Sequence, residues 1–382
     1  MKTTKKILIG LVLFLAFASS LAFLTGNQHI FKAIATTYLV GKTGPSIDEY
    51  DIFENRTVKT DTYQPWLISK NYNNKTNKTL HAEIEKYKPA AFLVIKNDSI
   101  VYEEYWDKYN ENSLTNSFSM AKSYIGMLIG IALDEGKINS IDDPIGNYLP
   151  EYSDFPQMTI KTLLTMSSGM NFDESYGNPF GHMAKAYYGK DIKKLNESYT
   201  MTETPGKVFK YLGGNTIILS FILEKVTGQS ISEYMSEKVW QRIGAKNPAL
   251  WNLDHKNGRE KAYCCFYSNV QDFARIGQLY LNKGLWNNER IISENYVMES
   301  TCPAYYLKDV NNNCVDYYGF QIWTAYYKNL DVFYFRGIQG QYTIVIPEKN
   351  LVIVRLGHER SKELINNSPK DLFTYIDFAL EQ

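Results

Sequence analysis

The sequence predicts an α+β protein in which one antiparallel sheet is built from both ends of the chain, flanked by helices, with a mostly helical region inserted between its halves. Three observations carry this. A hairpin pattern occupies residues 91–106, a succession of strand patterns occupies 331–356, and helix-period patterns fill most of the interval. With 382 residues, 44% of them apolar, the chain can bury a large core.

At the amino terminus, Lys2, Lys5 and Lys6 precede an uninterrupted apolar run over 7–24. A basic segment followed by an apolar one is the export pattern. Residues 1–26 therefore read either as a signal peptide, with Ala16-Phe17-Ala18 as a small-x-small cleavage site, or as a membrane anchor, since the run is close to the length that spans a bilayer. Either outcome exports the body, leaving it periplasmic or anchored to the inner membrane outside the cytoplasm. Residues 27–80 form a lead-in of weak periodicity, and the Asn- and Lys-rich stretch 71–78 reads as solvated loop. The main domain is expected over 81–382.

Within it, 81–87 suits a short helix stopped by Pro89. Residues 91–95 form a buried strand, Asn97-Asp98 a turn, and 100–106 the returning strand. Over 119–136, Ile125, Leu128, Ile129, Ala132 and Leu133 recur at helical spacing and Gly136 offers the stop. Further helices are expected at 161–166, at 216–226 closed by Thr227-Gly228, and at 272–281. Strands at 331–336, 342–346 and 351–356 follow, the last two joined by a turn over 347–350. A final helix over 369–380 would be capped by Ser368 with Pro369 at its first position.

Composition narrows the function. Lysine plus arginine balance aspartate plus glutamate at 41 each, and no basic stripe appears, so a nucleic-acid partner is not expected. The five histidines are scattered, with neither H-E-x-x-H nor G-x-S-x-G, so neither a zinc site nor a Ser-His-Asp triad is expected. Of the four cysteines, Cys302 and Cys314 could bridge a short loop in an exported protein, while Cys264-Cys265 reads as a pair of small buried hydrophobes.

The chemistry concentrates in Ser119-Met120-Ala121-Lys122. On a helix, residues three apart share a face, so a lysine amine can reach the serine hydroxyl. A serine alcohol attacks only when a neighbouring base takes its proton, and burial favours the neutral, basic form of a lysine. The helix N-terminus adds its positive dipole end where negative charge develops. Alone the tetrad is weak. A chain of this composition yields about two such patterns by chance, and an ordinary amphipathic helix start is the competing reading. His182 is the one histidine placed where it bears watching.

Ser117 through Ser123, then Leu163-Leu164-Thr165-Met166-Ser167-Ser168-Gly169, then Pro205-Gly206 through Tyr211, and Gly340-Gln341-Tyr342 with Pro347-Glu348-Lys349, together resemble the serine β-lactamase-like superfamily. Within it the resemblance is to class C-like hydrolases of the 6-aminohexanoate-dimer hydrolase and esterase type, over roughly 85–382, with the β-lactamase/transpeptidase-like fold. The resemblance implies an acyl-enzyme on Ser119 with Lys122 as base and Tyr211 assisting. It implies an oxyanion hole from the N–H groups of Ser119 and Ile338. Tyr176, Gly337, Gln339 and Gly340 would contact a small ester, amide or peptide-like substrate, with no cofactor.

Two departures stand out. The family's Y-x-N reads Tyr211-Leu212-Gly213, without its third polar side chain; Asn215 is out of register to replace it. The K-T-G motif is absent, with Arg336-Gly337-Ile338-Gln339-Gly340 in its place. Arg336 is read as a structural salt bridge or as a substitute cation. These losses keep open a penicillin-recognising or scaffolding protein of weak turnover, and a true class C-like β-lactamase.

Overall fold

The computed structural model describes residues 2–73 and 77–382, so part of the Asn- and Lys-rich stretch lies outside the described residues. The sheet contains Leu67–Ile68 (β1), Pro89–Lys96 (β2), Ser99–Tyr105 (β3), Trp323–Tyr327 (β4), Leu330–Gly337 (β5), Gln341–Ile346 (β6) and Leu351–Gly357 (β7). Its spatial order is β4-β5-β6-β7-β2-β3-β1. The two ends of the chain meet where β7 pairs antiparallel with β2, Val354 opposite Leu93. Only the two-residue edge β1 runs parallel to its neighbour.

The strands are apolar at nearly every position because both faces are covered. Leu93 and Ile95 join one core with Val345, Val352 and Val354. Phe92 and Val94 join the other with Ile344, Ile346 and Ile353. On the first face lie Met120–Asp134 (α1) and Val270–Leu281 (α2). On the second lie the carboxyl-terminal helix Lys370–Leu380 (α3) and the short helix Lys78–Glu85. The inserted region packs Gly213–Thr227 (α4) along α1.

Most expected elements appear within a few residues of their predicted limits. Gly136 and Gly228, at φ +68° and +69°, stop α1 and α4 as expected. The capping of α3 is a correction. Pro369 occupies the N-cap, and Ser368 makes no cap bond; its hydroxyl instead pairs with the Tyr334 hydroxyl at 2.9 Å, because Ser368 is tied into a short ladder with Ile365. The lead-in also contributes more structure than its weak periodicity suggested. Asn55–Val58 pairs with Ala249–Asn252 in a second, four-stranded sheet that also holds Phe266–Ser268 and Thr115–Asn116. Upstream, Lys2–Leu24 forms a helix long and apolar enough to cross a membrane, followed by His29–Thr36 against the body.

Candidate active site

Thr115–Asn116 delivers the chain into the start of α1. The Ser117 N–H donates to the Phe266 carbonyl at 2.8 Å, and the Asn116 side chain accepts the Phe118 N–H at 2.8 Å. Phe118 is thereby held at φ +43°, a left-handed conformation that an aromatic residue adopts only when its surroundings impose it. This turn sets Ser119 at the N-cap of α1, half-buried and with its hydroxyl making no cap bond. One turn on, the Lys122 amine lies 3.1 Å from Ser119 Oγ. It also donates to the Tyr263 carbonyl at 2.9 Å, and Lys122 is 1% exposed. Its nitrogen stands 5.0 Å from the Tyr211 ring centroid and 5.5 Å from that of Tyr263. Tyr211 is in turn packed against Trp323, 5.3 Å between ring centroids. Ser119, Lys122 and Tyr211 are brought together.

The end of β5 closes the other side. A Cβ on Gly337 would collide with the Ser117 carbonyl, so only glycine lets the strand end approach the turn before Ser119 this closely. The following turn is held from behind. Buried Arg355 donates to the carbonyls of Gln339 (3.0 Å) and Gly340 (2.8 Å), and Gln341 donates to the Ile338 carbonyl at 3.1 Å. Ile338 and Ser119 line the same cavity, of about 460 Å³. Gln339 points elsewhere; its side-chain amide donates to the Pro45 carbonyl at 2.6 Å and so ties the turn to the lead-in.

Tyr176 also lines the cavity. It is 55% exposed as a residue, and its hydroxyl donates to Glu174 at 2.9 Å. Desolvation, followed by the charge of Glu174 and by Tyr211, pushes its phenol well above the ordinary value.

Glu174 went unnoticed in the sequence. Its carboxylate accepts the Gly213 N–H at 2.6 Å, and a Cβ on Gly213 would stand 3.3 Å from it. The acid thus reaches from a loop into the place where the family's Y-x-N carries its third side chain. Burial pushes the Glu174 pKa up, against the opposing pull of Lys122, the Gly213 N–H and the Tyr176 hydroxyl. No local sequence signal marks it, although its place two residues before Tyr176 is a hint in retrospect.

Arg360 was missed as well. It lines the cavity, and among the described residues it makes no ion pair. Arg336 makes no salt bridge among the described residues. Its guanidinium stacks on Trp323, 3.3 Å from the ring centroid, and donates to the Asn367 carbonyl at 3.4 Å.

Asn215 is fully buried and donates to the Met166 sulfur at 3.3 Å, so it does not restore the missing amide. His182 accepts the Asp173 N–H at 2.6 Å on Nδ1 and packs on Phe172 and Tyr199. Burial lowers its pKa. It braces the loop carrying Glu174.

The cysteines reverse the expectation. Cys264 and Cys265 are disulfide-bonded to each other, while Cys302 and Cys314 are free. The two free thiols, both exposed, contact the carbonyls of Pro303 and Tyr305 respectively. The vicinal pair directly follows Tyr263, whose carbonyl holds Lys122, and Cys264 lines the cavity.

Comparisons with known proteins agree with this fold. Residues 81–366 match the family model described as Beta-lactamase. The 6-aminohexanoate-dimer hydrolase of Paenarthrobacter ureafaciens is 25% identical over 230 residues, covering 57% of this chain and 58% of that protein. The teichoic acid D-alanine hydrolase of Staphylococcus aureus is 25% identical over 210 residues, covering 49% of this chain and 48% of that one. The chain thus spans about half to three-fifths of the curated relatives it matches. Among solved structures, a Bacillus anthracis protein provisionally called a 6-aminohexanoate-dimer hydrolase superimposes with a TM-score of 0.75 at 23% identity, over 88% of this chain and 93% of that one. A family VIII carboxylesterase gives 0.63 at 18% identity, over 83% and 99%. Both share the fold.

Proposed function

The chain belongs to the β-lactamase family, and from that premise we propose that it is a serine hydrolase cleaving an ester or amide bond through an acyl-enzyme on Ser119. The observation that carries this reading is the 3.1 Å contact between the buried Lys122 amine and Ser119 Oγ. Lys122 takes the hydroxyl proton as Oγ bonds to the carbonyl carbon. The oxyanion falls to the N–H groups of Ser119 and Ile338. Collapse breaks the bond to the leaving group, which receives its proton through Tyr211. Water then adds to the acyl-enzyme, giving its proton back along the same path, and releases the acid and free Ser119.

Tyr176 and the backbone of Gly337 and Gly340 contact the substrate, and Gln339 positions the turn. Glu174 positions Tyr176 and the Gly213 amide beside the Lys122 site. The names of the relatives support an ester- or amide-cleaving role, and 81–382 is the catalytic unit. Residues 1–26 export it, as a cleaved signal or as an anchor, so the unit works outside the cytoplasm.

Esters are the preferred class over β-lactams. A lactam must be held by its carboxylate while its ring opens, and the K-T-G donors are absent. A lost charge-assisted hydrogen bond costs about 1.5–3 kcal/mol, roughly ten- to a hundredfold in kcat/KM. With nitrocefin and p-nitrophenyl acetate assayed on one preparation, the acetate should give the larger kcat/KM. A preference for nitrocefin that disappears in Arg360→Ala would make the protein a β-lactamase, with Arg360 as the carboxylate anchor.

A further inference from the structure

We propose that the substrate is an amphiphile whose long apolar acyl chain lies in the cavity beside Ser119 and arrives there from a membrane surface. This rests on the acyl-enzyme reading above and names the class of substrate for the same site.

Tyr211, the proposed proton donor, is not among the residues lining the cavity, so the leaving group is assigned to the Tyr211 side and the acyl group to the cavity. Beyond Ser119 and Ile338 its walls are mostly apolar, with Met183, Ala184 and Tyr187 on one side and Ala33, Thr37 and Tyr38 on another. Its size suits a ligand considerably larger than an acetyl group.

The lead-in wall is the informative one. Helix His29–Thr36 presents two faces. Ala33 and Thr37 turn inward to the cavity, and His29 bonds the Pro179 carbonyl at 2.8 Å, anchoring the helix on the loop that follows Tyr176. Its other face carries Phe31 and Ile34, three residues apart and 41% and 40% exposed. Residues at that spacing share one side, so the helix lays an apolar stripe toward solvent beside the cavity mouth. Leu39, Val40 and, from the facing loop, Phe180 are exposed too.

A soluble surface gains nothing from such a stripe, whereas an amphipathic helix lying in a bilayer interface buries it. The occupant is identified by continuity. The stripe begins only a few residues after the apolar helix Lys2–Leu24, and Phe23 at the end of that helix packs on Phe31, 5.8 Å between centroids. If Lys2–Leu24 spans the bilayer, the stripe and the cavity mouth sit at the outer membrane interface.

The test uses the full chain reconstituted in phosphatidylcholine vesicles with p-nitrophenyl acetate, butyrate, octanoate and laurate. Each buried methylene is worth up to about fourfold, so kcat/KM should rise at least tenfold from acetate to octanoate. Ala33→Trp should bring the octanoate-to-acetate ratio close to one, and that ratio is independent of the folded fraction. Phe31→Glu with Ile34→Glu, on the outward face, should leave acetate turnover unchanged and lower laurate turnover in vesicles at least fivefold. A flat or falling chain-length profile overturns the acyl assignment. Laurate turnover unaffected by the outward substitutions overturns delivery from the membrane. Absence of turnover on every ester, acetate included, would count against the hydrolase reading itself.

Discussion

At the residue scale, the proposed roles of Ser119, Lys122 and Glu174 each make a separate claim. Ser119→Ala should abolish turnover, and Lys122→Ala should lower kcat/KM by about 10² to 10⁴. Both should melt close to the parent chain, since neither removes a core apolar group; circular dichroism melts alongside ester assays check this. Glu174 predicts a pH effect. Burial holds its pKa above the ordinary value, so between the two values the folded chain binds more protons than the unfolded one. The stability contributed by Glu174 therefore falls as pH rises through that window. Glu174→Gln stays neutral and escapes the loss, so its Tm relative to the parent should increase as pH rises above the ordinary carboxylate range. The same variant should reduce kcat/KM about tenfold, since its single amide oxygen cannot accept from both the Tyr176 hydroxyl and the Gly213 N–H; a pH-independent Tm difference would contradict the assignment. The contact between Ser119 and Lys122 was legible because it is local, three residues apart at one helix start. Glu174 and Arg360 were not, because a loop carboxylate and a loop guanidinium acquire meaning only when the fold brings Gly213 and the cavity to them.

Among the elements, the end of β5 is the most constrained. Gly337→Ala places a methyl against the Ser117 carbonyl. The strand end must retreat from the turn before Ser119, carrying Ile338 with it. We expect about 1–3 kcal/mol of destabilisation and a loss of about a hundredfold in kcat, with a smaller change in KM, measured by denaturant melts and steady-state kinetics. A parent-like kcat would show that the Ile338 amide does not serve the oxyanion. The strands themselves were readable from the sequence, since doubly covered strands are continuous apolar runs punctuated by Asn97-Asp98 and by the turn at Asn350. The cap of α3 was misread because Ser368 satisfies the rule for a cap equally well in a short ladder, and only Tyr334 across the sheet decides between them. The vicinal disulfide escaped for a related reason. Adjacent cysteines carry no spacing information, and their pairing depends on the tight backbone at Cys265, φ +67°.

For the molecule as a whole, the two-ended sheet was legible in the order of strand, helix and strand patterns, while the role of the lead-in was not. The contacts that tie it to the body are with distant sequence, Asn55–Val58 with Ala249–Asn252 and Gln339 with Pro45, and no local pattern announces them. The exported placement predicts that cell fractionation finds the protein in the membrane or outside the cytoplasm; intact soluble protein in the cytoplasm would contradict it. The central claim, that Ser119 is a working nucleophile activated by Lys122, is tested most directly by treating the full chain with a fluorophosphonate probe and locating the adduct by peptide mass spectrometry. The account predicts one stoichiometric adduct on Ser119, absent in Ser119→Ala and slowed at least a hundredfold in Lys122→Ala. An unlabelled Ser119 in folded protein, or an adduct on another residue, would contradict it.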